Sequence, residues 1–264
     1  MQSQSGKKGP INLGFEEQQA PYESASQNAR VLTEGWMRRW AFCPACGNEQ
    51  ISQFENNRAA ADFGCPQCAE QYELKSTKGA FGSKVVDGAY ESLCKRLSSD
   101  ENPNFAFMNY SATARTVQNL FVVPKQFVRP EIVEKRKPLA PTARRAGWVG
   151  CNIRLNQIPI SGKIFIVRDS QPIDKRIVLD QWHRTLFLRD EKPAARGWLI
   201  DVMGVCDTIG KPEFSIEDVY RFEARLSALY PGNNNVRAKI RQQLQVLRDG
   251  GYLDFLGSGR YRKL

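Results

Sequence analysis

The chain has 264 residues, of which 41% are hydrophobic and 25% charged, a balance that excludes wholesale disorder and leaves room for one large domain or two modest ones. Lysine and arginine outnumber the acids by 38 to 28, a formal net charge of +10 that favours polyanionic partners and salt-sensitive association with them. No apolar run approaches the roughly 20 residues of a membrane helix, and the opening MQSQSGKKGP lacks the apolar centre of a signal peptide, so the expectation is a cytoplasmic protein with no membrane partner.

Residues 1–23 are rich in Gln, Ser and Gly and read as a flexible leader. A helix is expected from Ser24 or Ser26 through Val31, Leu32 and Trp36 to Trp40, followed by a mostly β stretch over 43–75. Val86, Tyr90, Leu93, Cys94 and Leu97 recur at helical spacing and predict a helix over 86–97. Two β-like runs follow at 105–110 and 119–123, ended by Pro124. Residues 125–150 are dense in Lys, Arg and Pro, and Pro138, Pro141 and Gly147 argue against a continuous element there. A strand at 163–167 and a helix over 174–188 complete what reads as one α/β domain, 24–188. The charged stretch 189–196, interrupted by Pro193, reads as a linker. From 197 to 264 the order becomes three helices and a hairpin. The first runs from Trp198 to Ile209, Ser215 caps the second with Asp218 at the capping-box position, and the third begins after Asn233, Asn234 and Asn235. A Gly-rich turn then joins two strands. That order is a winged helix.

Two pieces of chemistry are interleaved in residues 43–75. Cys43-x-x-Cys46, eighteen residues, then Cys65-x-x-Cys68 has the spacing of a four-thiolate zinc site. With His183 the only histidine and far along the chain, the expected Zn2+ is structural, its coordination closed by thiolates. Such a site suits a reducing compartment, and Cys94, Cys151 and Cys206 read as core positions. The second piece is Asp62, ten residues, then Glu73-Leu74-Lys75, the D-(x)n-E-x-K arrangement of metal-dependent nucleases. Asp62, Glu73 and the Leu74 carbonyl suit Mg2+, which prefers hard oxygen ligands. On a strand Glu73 and Lys75 share a face, where Lys75 can steady attacking water or developing charge. Taken alone, the same residues describe an ordinary solvated hairpin.

The third C-terminal helix carries an apolar stripe of Val236, Ile240, Leu244 and Leu247. Its other face shows Asn234, Asn235, Ala238, Arg241, Gln242 and Gln245, flanked by Arg237, Lys239 and Arg248. Asn and Gln can pair with adenine in the major groove, and Arg with guanine or phosphate. Arg260, Arg262 and Lys263 sit on the expected wing. In the first domain, Arg144, Arg145 and Trp148 occupy an irregular loop that can touch phosphates and pack on a base or methyl group.

These residues resemble the DpnI type of restriction endonuclease, which cuts GATC when its adenine is N6-methylated. The resemblance spans about residues 24–264. It rests on FENN (54–57), ADF-x-C (61–65), ELKS (73–76), DGAY (87–90), NPNF (102–105), VPKQFV (123–128), RKPLAPTARRAGW (136–148), GCNI (150–153), LFLR (186–189), YRFE (220–223), IRQQLQ (240–245) and YRKL (261–264). It implies an α/β PD-(D/E)XK nuclease domain with an inserted four-cysteine zinc site, plus a C-terminal winged-helix domain. Asp62, Glu73 and Lys75 then match the catalytic motif and Cys43, Cys46, Cys65 and Cys68 the zinc ligands, with Ala61 standing where the general motif has Pro. The implied partner is double-stranded DNA with methylated GATC. The chain carries one D…E-x-K set, so a monomer is expected to cut one strand per engagement, and a double-strand break needs two events or two chains. A methyl group in an apolar pocket discriminates by only about 10- to 200-fold, which two domains reading the mark, or methyls on both strands, would multiply. The expectation is that the loop around Trp148 and the helix from Asn234 both sense the methylated site. The competing expectation is a winged-helix regulator that binds methylated DNA without cutting it.

Overall fold

The structure is a computed structural model that describes residues 10–15, 23–55, 61–97 and 102–264. The chain divides into two compact units, Met1–Leu155 with Lys163–Trp182, and Asn156–Gly162 with His183–Leu264. The heptapeptide 156–162 thus belongs to the second unit although it lies inside the stretch expected to form the first. No helix among the described residues is long and apolar enough to cross a membrane.

In the first unit, α1 (Ala25–Trp40) buries Thr33, Gly35, Trp36 and Met37 on one face. The reading of 1–23 as a flexible leader fails for residues 10–15. Trp36 Nε1 donates to the Asn12 carbonyl (2.8 Å), Gly14 bridges to Thr116, and the Phe15 ring meets Tyr110 edge-on at 5.4 Å. The buried indole N–H needs an acceptor, and the leader backbone supplies it. The remainder of that stretch, 1–9 and 16–22, lies outside the described residues, as do residues 56–60, which include the end of FENN.

Seven strands form the main sheet: β1 (Ser52–Gln53), β2 (Phe63–Gly64) and β3 (Gln71–Lys78), then, beyond β4 (Lys84–Ala89) and α2 (Tyr90–Leu97), β5 (Asn104–Ser111), β6 (Thr116–Val123) and, after β7 (Val133–Lys135) and β8 (Gly150–Arg154), β9 (Ile164–Arg168) and β10 (Gln171–Pro172). Their spatial order is β1-β2-β3-β5-β6-β9-β10, and only the β3–β5 pair is parallel. A parallel pair cannot be joined by a tight turn. The crossover here is β4 and α2, and β4 belongs to a second, antiparallel sheet of order β4-β8-β7. The expected helix over 86–97 is therefore a helix only from Tyr90. Val86 is 62% exposed, so its match to the helical period carries no burial, and pairing with β8 decides the conformation. The helix expected over 174–188 is α3 (Lys175–His183) followed by a 3-10 turn over Leu186–Arg189, and His183 is an exposed helix-end residue.

Strand alternation sorts the main sheet into two faces. Phe105 and Phe107 of β5 share a face with Phe121 of β6 and Phe165 of β9, and their rings follow one another at 6.1, 5.2 and 5.1 Å. Phe81 caps the row edge-on at 5.8 Å from Phe107. The register pairs Glu73 with Phe105 and Lys75 with Phe107, so both charged side chains stand at the end of this aromatic row. On the other face Thr33 of α1 reaches Ser76, its hydroxyl 3.3 Å from the serine oxygen.

The second unit is built on α4 (Pro193–Ile209), which buries Trp198, Leu199, Ile200, Val202, Met203, Val205 and Cys206. The expected linker 189–196 is shorter than read, because Pro193 opens this helix instead of breaking the chain. Proline's missing N–H costs nothing at a first helical position. Next come β11 (Glu213–Ser215), α5 (Ile216–Tyr220), α6 (Glu223–Leu229), α7 (Val236–Asp249) and the hairpin β12 (Leu253–Gly257) and β13 (Arg260–Lys263), with β13 central between β11 and β12. Ser215 and Asp218 form both bonds of the capping box. Val236, Ile240, Leu244 and Leu247 of α7 are buried against this core, and Trp198 stacks on Tyr230 at 3.9 Å while the Tyr230 hydroxyl donates to Asp201 (2.6 Å). The result is a helix-turn-helix with a β wing. Of the three cysteines read as core, Cys151 and Cys206 are buried and Cys94 is half-buried.

Phe107 touches three other rings and is fully buried. Phe107→Ala is expected to destabilise the first unit by about 3–5 kcal/mol, read as an earlier urea midpoint of a probe confined to that unit.

Candidate functional site

The two cysteine pairs fold into matching knuckles. Gly47 N–H donates to the Cys43 carbonyl (2.8 Å) and Cys43 N–H to Asn48 (2.9 Å). In the second knuckle Ala69 N–H donates to Cys65 (3.0 Å) and Cys65 N–H to Glu70 (2.8 Å). Each turn passes through a left-handed residue, Gly47 at φ 77° and Ala69 at φ 59°. All four Sγ atoms lie within 4.8 Å of one another, with Cys43–Cys68 at 3.6 Å and Cys46–Cys65 at 3.5 Å. A tetrahedron of sulfurs about 2.3 Å from an ion has edges of about 3.8 Å, so the donor set fits a closed metal site. The Tyr72 hydroxyl sits 3.1 Å from Cys43 Sγ, and Asn48 Nδ2 donates to Cys65 Sγ at 3.7 Å. Burial pushes the Cys43 thiol up to about 11. At Cys65 burial also pushes upward, but the backbone N–H groups of Cys68 and Gln67 outweigh it and bring the thiol to about 7.

The second knuckle is the turn between β2 and β3, and Asp62 precedes β2. Asp62 N–H donates to the Tyr72 carbonyl (3.0 Å), and its Oδ2 accepts from Leu74 N–H (2.8 Å). The carboxylate thus takes over the β3 edge where backbone pairing with β2 ends. A strand residue sends its N–H and C=O to the same edge, so the Leu74 carbonyl opens towards Asp62 as well. Asp62, Glu73, Leu74 and Lys75 line one open cleft of about 640 Å³, together with Arg30 and Glu34 of α1. Glu34 is bonded there by Arg30 and by Gln53 Nε2 (2.7 Å).

The structure adds two residues that sequence reasoning missed. Lys75 Nζ lies 2.6 Å from Glu73 Oε1 and also pairs with Asp87 of β4, while Arg96 of α2 pairs with Glu73 Oε2 at 3.1 Å. Burial opposes the charge on Lys75, yet the charges of Glu73 and then Asp87 outweigh it and hold the ammonium above the usual lysine range. The Lys75 ammonium also stands 6.0 Å over the Phe105 ring. The only available signal for Asp87 was its presence in DGAY, and the helical reading of that stretch gave it no partner. Among the described residues the four cysteines are the one group of three or more His, Cys, Asp or Glu ligands close enough to share an ion.

The remaining candidate residues fall in two places. Arg144 and Arg145 are exposed on the β7–β8 loop, which holds turns but no strand or helix and is tied across its base: Arg136 N–H donates to Gly150 and Leu139 N–H to Trp148 (3.0 and 2.9 Å). Trp148 lies against Gly150, where an added Cβ would meet its ring at 2.8 Å, and the Arg145 guanidinium sits 4.6 Å over that ring. In the second unit Asn234, Asn235, Arg237, Arg241 and Gln242 are all exposed at the start and on the outer face of α7. Arg237 pairs with Glu223 (2.8 Å), Arg241 donates to the Tyr220 hydroxyl (2.8 Å), and Gln242 accepts from Lys239 (2.9 Å). On the wing, Arg260 and Arg262 share Glu213 at 3.2 and 2.8 Å, which holds that carboxyl below the usual range.

Comparison with protein families matches these two groups of residues to two family models. A model described as DpnI, Dam-replacing family, matches residues 11–191, and one described as DpnI_C, Dam-replacing HTH domain, matches residues 194–263. The first match begins at Ile11, within the stretch pinned to α1, whereas the sequence reading gave the leader no counterpart. The chain therefore belongs to the DpnI, Dam-replacing, family, with that family's helix-turn-helix domain at its C-terminal end.

Proposed function

We propose that the protein is a type II restriction endonuclease that hydrolyses duplex DNA at GATC sites bearing N6-methyladenine, with the first unit acting as a PD-(D/E)XK nuclease. The observation that carries this reading is the Asp62 carboxylate bonded to Leu74 N–H, on the strand that presents Glu73 and Lys75 on a common face. Asp62, Glu73 and the Leu74 carbonyl would hold the metal. All three donors are hard oxygens, as Mg2+ requires. A bound ion would supply a hydroxide nucleophile near neutral pH and neutralise charge at the phosphate. Lys75, kept charged by its carboxylate neighbours, is set to stabilise the oxygens of the transition state. Glu73 is paired with Lys75 and Arg96 here and would exchange those pairings to hold a metal, while Lys75 keeps its pairing with Asp87.

The four cysteines are assigned a structural Zn2+, a role supported by the closed set of sulfurs and by Tyr72 and Asn48 bonding to two of them. A four-thiolate site is stable in a reducing compartment, in keeping with a cytoplasmic enzyme. Recognition is assigned to Arg144, Arg145 and Trp148 of the first unit and to Asn234, Asn235, Arg237, Arg241, Gln242 and Arg260 of the second. One D…E-x-K set per chain suits a monomer that cuts one strand per engagement.

Digestion of two plasmids of identical sequence, one GATC-adenine-methylated, tests the reading. Magnesium-dependent cutting of the methylated plasmid alone is expected. Asp62→Ala should lower that rate by about 100-fold or more while retaining DNA binding. Cutting of both plasmids would remove the methyl specificity, and binding without cutting would favour a regulator. Cys68→Ser is expected to lose one equivalent of zinc, measured with a chromogenic chelator after denaturation, and to melt earlier; an unchanged zinc content counts against the assignment. Trp148→Ala should lower the ratio of cutting rates on methylated and unmethylated DNA by about 10-fold or more, and an unchanged ratio removes that loop from methyl reading.

A further inference from the structure

Asp87 is buried, its side chain only 2% exposed, on the edge strand of the smaller sheet. It owes its direction to a β-bulge. Asp87 pairs with Cys151 and Ala89 with Gly150, so Gly88 is the extra residue, and bulges of this kind re-aim a side chain next to a site. The bulge is fastened by Gly88 N–H donating to Asp87 Oδ1 (2.7 Å) and by Cys151 Sγ donating to the Gly88 carbonyl (3.4 Å). Oδ1 also takes the Lys75 ammonium, while Oδ2 is buried with no hydrogen-bond partner among the described residues. A half-satisfied buried carboxylate is costly for folding alone and calls for another role.

Lys75 has two carboxylate partners, and on the reading above one of them, Glu73, is a metal ligand. We propose that Asp87 is a positioning residue for the nuclease reaction, which keeps the Lys75 ammonium aimed into the cleft when Glu73 turns to the divalent cation. Asp87 comes from a different sheet and its carboxylate, among the described residues, takes Lys75 and Gly88 N–H, so it can hold the lysine whatever Glu73 does. Without it Lys75 would have Glu73 as its one carboxylate partner and would compete with the metal for that group. The inference rests on the assignment of Asp62, Glu73 and Lys75 as the catalytic set.

Asp87→Asn keeps the shape and the bond from Gly88 but weakens the hold on Lys75. In the full chain it is expected to lower kcat on the methylated plasmid by about 10- to 100-fold, with KM within about twofold of wild type. Mg2+ binding without DNA, followed by calorimetry, should weaken several-fold, and duplex affinity in calcium should be unchanged. Lys75→Met/Asp87→Asn should be no slower than Lys75→Met, because Asp87 acts through the lysine. Wild-type kcat in Asp87→Asn, or a double variant much slower than Lys75→Met, overturns the proposal. If Asp87→Asn melts early, the comparison of the double variant with Lys75→Met still decides it, since the double variant carries no unpaired charge. Asp62→Ala run alongside separates the two levels: an active Asp62→Ala sinks the nuclease assignment, whereas an inactive one beside a fully active Asp87→Asn sinks only this inference.

Discussion

Strand β3 has two edges with very different fates, and the candidate site follows from that asymmetry. One edge is paired with β5 through seven registers, from Tyr72 to Lys78, while the other is covered by β2 at only Tyr72 and Gln71. A backbone N–H buried without a partner is costly, so the ladder cannot simply stop at residue 72. Asp62 supplies the next acceptor with its side chain, at Leu74. A two-residue strand is too short to hold that position unaided. The knuckle at Cys65–Cys68 fixes the far end of β2, and the Tyr72 hydroxyl ties β3 to Cys43 of the other knuckle. The sulfur site and the carboxylate cleft are therefore two ends of one short hairpin.

Electrostatics organises the other side of the same strand. Arg96, Glu73, Lys75 and Asp87 follow one another with alternating sign, a chain of charges in a partly desolvated setting. Such chains strengthen at low dielectric and are costly to leave incomplete. The aromatic row that begins at Phe105 and Phe107 forms the apolar wall behind them. It keeps the charges close together and gives Lys75 a ring face as well as two anions.

The sequence was most legible where chemistry is written in local spacing. The two cysteine pairs, the Asp62…Glu73-Leu74-Lys75 set and the apolar stripe of α7 each involve residues whose separation is a property of one turn, one hairpin or one helix. What was hidden depends on pairing between distant segments. Val86 stands at a helical interval from Tyr90 and Leu93, and only β8, some sixty residues later, makes 84–89 a strand; misreading it also concealed Asp87. Residues 10–15 look featureless until Trp36 needs an acceptor. Pro193 reads equally as a breaker or as the first residue of a helix, and the apolar run after it, packed inside the second unit, decides between them.

The membership of residues 156–162 has a consequence for how the protein is made. Ser161 donates both its N–H and its hydroxyl to Asp207, and Gly204 meets Pro159, so this heptapeptide is completed by residues that are synthesised more than forty positions later. During translation the first unit leaves the ribosome with a loop that has nowhere to dock until α4 emerges. The chain then crosses between units at 155/156, 162/163 and 182/183, not once. The two units are thus separate in their cores but not separable with a single cut, and neither can be transplanted to another protein as an uninterrupted stretch of sequence.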